Sequence, residues 1–88
     1  IAQLSSYNPA KIYGFEGKGE IAAGKDADLV FIDTQNTWTV KKADLFSKCA
    51  WSAYDGLSLI GRPPATFLRG KLVYKNGKII GITSGRQL

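Results

Sequence analysis

With 88 residues, 44% of them hydrophobic and carrying two Trp, four Tyr and four Phe, the chain is one domain or part of one, and disorder is not its default. Twelve basic against seven acidic residues give a net charge of +5 without any dense Lys/Arg block, so the balance alone does not point to nucleic acid. Histidine is absent, which argues strongly against a complete metallohydrolase or acid–base site within these residues.

No run approaches the roughly 18 apolar residues of a membrane helix, and no signal peptide opens the chain. The single cysteine, Cys49, cannot form an internal disulfide, so a cytoplasmic location is expected. The first residue is Ile1 rather than Met, and a piece of something longer is expected.

Residues 1–7 read as the end of a helix. In the next stretch, Asn8 is a favoured N-cap, Pro9 suits the first helical position, and Gly14 stands where a left-handed terminator belongs. Phe15 to Gly19 is a Gly-rich loop with Lys18; it lacks P-loop spacing and reads as a turn. Gly19 and Gly24 flank the Glu20-Ile21 step, where open φ angles are needed. Asp26 and Asp28 share a face of an extended segment, but Ala27 and the apolar run after them favour a structural role over metal or acid–base chemistry.

Leu29-Val30-Phe31-Ile32 is a run too short for a helix, and it reads as a strand covered on both faces and ended by the Asp33-Thr34 turn. A second strand is expected at Thr37–Val40, then a short helix over Lys41–Lys48 with Leu45 and Cys49 on its apolar side. Without a histidine to activate it, Cys49 is expected to be a buried apolar residue. Trp51 and Tyr54 then read as lids over a core or as interface anchors.

Gly61-Arg62-Pro63-Pro64 breaks the chain before a last unit, Ala65 to Ile82. Asn76-Gly77 is a strong type I′ hairpin signal, and Gly70-Lys71 is the candidate for the turn before it. That choice pairs Phe67 with Tyr74 and Tyr74 with Ile79, and on the other face Leu68 with Val73 and Val73 with Ile80. Both faces are then apolar: one can cover the Leu29–Ile32 strand, and the other needs a layer from elsewhere. Residues 83–88 read as a frayed tail.

Gly-Glu-Ile-Ala-Ala-Gly-Lys-Asp-Ala-Asp-Leu-Val at 19–30 resembles the C-terminal strand signature of the metal-dependent amidohydrolase superfamily. Asn-Pro-Ala-Lys-Ile-Tyr-Gly at 8–14 is similar to the last helix that packs on its (β/α)8 barrel. Ser47 to Gly56 resembles a segment of dihydroorotases, with Ala50, Ala53 and Asp55 where that segment has Gly, Pro and Glu. The resemblance continues through Ala65 to Ile79, the family's usual ending.

The resemblance implies a mainly β fold with short helices, in which 1–18 close the barrel and 19–88 form the C-terminal part of a small β-sandwich. It implies a zinc-dependent cyclic amidohydrolase, most similar to dihydroorotase, that interconverts carbamoyl-aspartate and dihydroorotate. Allantoinase and dihydropyrimidinase (hydantoinase) remain as alternatives. The family's zinc ligands and catalytic Asp lie upstream of the matched part. No catalytic, cofactor-binding or metal residue is therefore assigned to this segment. The partners implied are the upstream barrel, further copies in a homo-oligomer and an enzyme of pyrimidine synthesis. Two other readings stand beside this one: a scaffold that has lost catalysis, and a basic module binding single-stranded nucleic acid through Trp51, Tyr54, Phe67 and Tyr74. Six basic and no acidic residues from Gly56 to Leu88 favour the latter less than they favour protection of strand edges.

Overall fold

The computed structural model describes residues 1–81 and 85–87. A π-helical turn, Gln3–Tyr7, runs directly into helix α1, Asn8–Tyr13. Asn8 therefore lies inside helical backbone (φ −64°, ψ −46°) and does not act as the expected N-cap. Its N–H donates to the Gln3 carbonyl, so the preceding turn already supplies helical carbonyl partners and Asn8 stands as an interior residue. Pro9 sits in the first turn of α1. Gly14 ends the helix at φ 73°, and Phe15 N–H reaches back to the Ala10 carbonyl at 2.8 Å, closing a Schellman-type end.

The strands are β1 (Leu29–Thr39), β2 (Ser58–Leu68), β3 (Lys71–Lys75) and β4 (Lys78–Ile79). They form one antiparallel four-stranded sheet in the order β1-β2-β3-β4. The Leu29–Ile32 run is thus an edge strand beside the hairpin unit, not a layer covered by it. Strand β1 also absorbs the second expected strand. The Asp33-Thr34 turn signal survives as a local irregularity, with the register shifting on both sides of Asp33. Asp33 Oδ1 accepts the N–H groups of Gln35 (3.0 Å) and Asn36 (3.2 Å), the Asx geometry that made Asp a turn signal.

Strand β2 runs through Pro63 and Pro64, which do not end it. Phe31 pairs with Ala65 but Asp33 with Arg62, so the two prolines fall where the ladder slips, the place where a missing N–H costs no ladder bond. Beyond the slip, Trp38 Nε1 donates to the Gly61 carbonyl at 2.7 Å, and the Arg62 guanidinium lies 5.0 Å over the indole ring.

Asn76 (φ 49°) and Gly77 (φ 87°) make the expected I′ turn, with Tyr74 opposite Ile79 and Ile80 N–H bonded to the Val73 carbonyl at 2.8 Å. The preceding turn is Arg69 (φ 46°) and Gly70 (φ 79°), one residue earlier than expected. A two-residue turn moved by one position changes the register by two. Phe67 therefore pairs with Leu72 and Leu68 with Lys71, and a bulge sets Thr66 opposite Tyr74.

Between β1 and β2 the expected Lys41–Lys48 helix shrinks to a single 3-10 turn, Lys42–Asp44. Leu45 and Cys49 do not share a helix face, and Cys49 is exposed. With no neighbour for an apolar stripe to bury against, a helix this short is not stable. The loop is instead clamped at its base: Val40 N–H to the Leu57 carbonyl and Gly56 N–H to the Val40 carbonyl, both 2.8 Å.

Only Ala10 and Val40 are buried among the described residues, while Val30, Phe31 and Ile32 stay about half exposed. Phe31 and Phe67 touch across β1 and β2 (ring centres 5.4 Å apart), but no second layer lies over them among the described residues. Ile82, the expected end of the hairpin unit, and residues 83, 84 and 88 of the expected tail lie outside the described residues.

Candidate functional site

The loop from Gly14 to Asp28 carries the densest polar cluster. Gly19 (φ 96°) crosses α1 so closely that a Cβ there would stand 2.6 Å from the Ala10 methyl. This crossing brings Lys18 to the acidic step before β1. Lys18 Nζ donates to Asp26 Oδ2 at 2.8 Å and also to Asp28 Oδ2. Asp28 Oδ1 accepts the Arg69 N–H at 2.8 Å, and Gly70 N–H donates to the Ala27 carbonyl at 3.0 Å. The second acidic position thus fastens the β2–β3 turn to the entrance of β1.

These contacts set the electrostatics. Hydrogen bonds from Lys18 hold Asp26 below the usual carboxylate range; for Asp28 the Arg69 N–H adds to the same effect. Lys18 is raised in turn by its bonds to the two carboxylates. Arg86 approaches Asp26 more loosely, at 3.9 Å. The pair joins the loop after α1, the entrance of β1 and the β2–β3 turn, and Lys18 is the partner that sequence reasoning missed. Only its spacing, eight residues before Asp26 and ten before Asp28, could have signalled it.

The Lys18 ammonium occupies the position between the carboxylates that a cation would take. No group of three or more His, Cys, Asp or Glu side chains converges among the described residues. A cavity of about 300 Å³ opens beside the junction, lined by Tyr7, Lys11, Lys18, Glu20 and Lys25. Its cations are already engaged: Lys11 over the Tyr7 ring at 5.0 Å, Lys25 with Glu20 at 3.5 Å, and Lys18 with its carboxylates.

Cys49 lies on the exposed loop, 3.6 Å from both the Ser47 hydroxyl and the Trp51 carbonyl. The Ser47 hydroxyl, with a smaller contribution from the Trp51 backbone, holds the thiol below its ordinary value. No histidine is present to act as its base. Trp51 and Tyr54 are exposed on the same loop, which leaves the sheet where Thr39 pairs with Ser58. Phe67 sits at the opposite end of that ladder, opposite Leu29. The four aromatic residues of a nucleic-acid module are therefore not brought onto one surface.

Residues 1–80 match the profile of the amidohydrolase family. The chain is 35% identical over its whole length to a dihydroorotase of Pyrococcus furiosus, of which it covers 21%. It is 38% identical, over 98% of its length, to an allantoinase of Rubrobacter xylanophilus, of which it covers 19%. Among solved structures, it superimposes on a dihydropyrimidinase from Brevibacillus agri with a TM-score of 0.83 at 28% identity, covering 91% of this chain and 18% of that one. An L-hydantoinase (dihydropyrimidinase) from Arthrobacter aurescens gives a TM-score of 0.78 at 32% identity, covering 83% of this chain and 16% of that one. The chain thus spans about a fifth of the length of the curated relatives it matches. The match running from residue 1 to 80, nearly the whole chain, leads to one conclusion: this chain belongs to the amidohydrolase family.

Proposed function

We propose that this chain is the C-terminal part of a zinc-dependent cyclic amidohydrolase of the dihydroorotase type, which interconverts carbamoyl-aspartate and dihydroorotate. The observation that carries this reading is alignment with a dihydroorotase over the whole chain but only 21% of that protein. In this reading, residues 1–18 close a (β/α)8 barrel and 19–88 contribute part of a small β-sandwich. The exposed apolar residues support it. Val30, Phe31 and Ile32 are about half open to water and Ile60 and Ile79 more so, and each forgoes roughly half or more of the about 1.5–3 kcal/mol that full burial supplies, where a domain's total stability is only about 5–15 kcal/mol. An upstream portion of the same polypeptide is the covering layer.

No catalytic or metal-binding residue is assigned to this segment, because Asp26 and Asp28 are committed to Lys18. The zinc centre belongs, in this reading, to the upstream polypeptide. The parent works in the cytoplasm as a homo-oligomer, in contact with an enzyme of pyrimidine synthesis. Among the described residues no helix is long and apolar enough to cross a membrane. A second reading, allantoinase, is favoured by the 38% identity to the Rubrobacter protein.

The test is coexpression of this segment with the upstream polypeptide, followed by assays on dihydroorotate, allantoin, hydantoin and dihydrouracil. Ring opening of dihydroorotate that is absent without this segment is the expected result. Turnover of allantoin alone moves the assignment to the second reading. A correctly folded, metal-loaded assembly inert on all four leaves the scaffold reading.

A further inference from the structure

The loop 41–57 is locally built, yet it presents its largest side chains to water. Its base is held by the Val40 backbone bonds and by Lys42 N–H donating to Asp55 Oδ1 at 2.7 Å. Within it, Tyr54 N–H bonds the Ser52 hydroxyl at 3.1 Å, and Ala50 is held at φ 52°, a left-handed angle that costs a non-glycine residue about 1–2 kcal/mol. Despite this definition, Phe46, Trp51 and Tyr54 are 70%, 69% and 63% exposed. A loop that holds a strained residue in order to display three aromatic side chains is shaped for a partner.

We propose that this loop docks, through Phe46, Trp51 and Tyr54, onto an apolar, acid-rimmed surface of the same polypeptide outside these 88 residues. The proposal rests on the reading of the chain as part of a longer hydrolase. Area decides between this occupant and a second copy. At about 150–250 Å² per aromatic side chain, roughly two thirds of it exposed here, the three offer roughly 300–500 Å². A stable dimer needs about 800 Å² from each partner, because association must offset lost translational and rotational freedom. An intramolecular contact carries no such cost, so a patch of this size suffices. The acidic rim follows from charge. The loop carries Lys41, Lys42 and Lys48, against Asp44 and an Asp55 already engaged by the Lys42 N–H.

Cys49, exposed between Phe46 and Trp51, reports on docking. The full-length protein is alkylated with iodoacetamide and the Cys49 peptide is quantified by mass spectrometry, while ring-opening activity is followed on the same sample. The expected result is labelling slowed about tenfold or more relative to the urea-unfolded protein. Protection is also expected to stay constant across about two decades of protein concentration. Trp51→Ser releases Cys49 from protection; if that variant does not fold, Tyr54→Ser takes its place. Labelling at the unfolded rate overturns the proposal, as does protection that fades on dilution, which assigns the patch to a second copy. An active enzyme with unprotected Cys49 sinks the docking alone. A protected Cys49 in an inactive protein supports docking and counts against the ring-opening reading.

Discussion

Asp28 Oδ1 accepts the backbone N–H of Arg69 at 2.8 Å, joining residues 41 positions apart. Arg69 is the first residue of the I′ turn between β2 and β3, so this bond ties that turn to the entrance of β1. The other oxygen of the same carboxylate receives Lys18. One side chain therefore connects the loop after α1, the first strand and the hairpin unit.

Replacing Asp28 separates these two duties. Asp28→Ala leaves the Arg69 N–H without its acceptor and is expected to cost about 1–2 kcal/mol. Asp28→Asn keeps a neutral acceptor for Arg69 and weakens only the partly exposed Lys18 pair, a smaller loss. Urea unfolding of the full-length protein checks the order; equal losses for the two variants would show that the Arg69 bond contributes nothing.

The junction also sets a pH response. Asp26 and Asp28 lie below their ordinary 3.8 in the folded chain, so their contribution is present above that value and fades as pH falls through the depressed folded values. Lys18 lies above its ordinary 10.5, so its contribution is complete below 10.5 and fades as pH rises through the higher folded value. Between these limits the junction is insensitive to pH. Carboxyl carbon NMR shifts followed through acid titration should give Asp28 a midpoint below 3.8; a midpoint at or above it would show that Lys18 and Arg69 do not act on this group.

Gly19 and Gly24 distinguish close packing from backbone strain. Both have left-handed φ, 96° and 85°, but only Gly19 faces a neighbour within van der Waals reach, at Ala10. Gly24→Ala should cost about 1 kcal/mol from conformation alone. Gly19→Ala adds a clash with the helix and should cost about 2 kcal/mol or more. Thermal unfolding of the two variants measures the difference, and matching melting temperatures would contradict the close approach.

Ser47 governs the Cys49 thiol. Its hydroxyl is the largest influence holding that thiol below the ordinary 9.0, so Ser47→Ala should raise the pH midpoint of Cys49 alkylation. The rate at neutral pH should fall with it, because less thiolate is present. An unchanged pH profile, read by mass spectrometry of the Cys49 peptide, would assign the effect to the Trp51 backbone.

Local chemistry was legible in the residues themselves. Gly14 and Asn76-Gly77 occupy left-handed backbone because few other residues do so cheaply, and that preference needs no knowledge of the fold. Asp33 announced a turn for the same kind of reason, although the turn became a slip inside β1 rather than its end. The absence of histidine bounds the available chemistry by composition alone. Pairings at long range were decided elsewhere. Whether Arg69-Gly70 or Gly70-Lys71 turns the chain is nearly balanced locally, and the Asp28 carboxylate and Ala27 carbonyl, each more than 40 positions away in sequence, favour the first. Cys49 likewise looked like a core residue on an amphipathic helix, but a helix forms only where its apolar side finds cover. Residue identities determined the turns and the available chemistry, because those depend on one or two dihedral angles and on side-chain type. Tertiary structure alone decided register, exposure and the fate of the two aspartates, because those depend on which distant groups arrive.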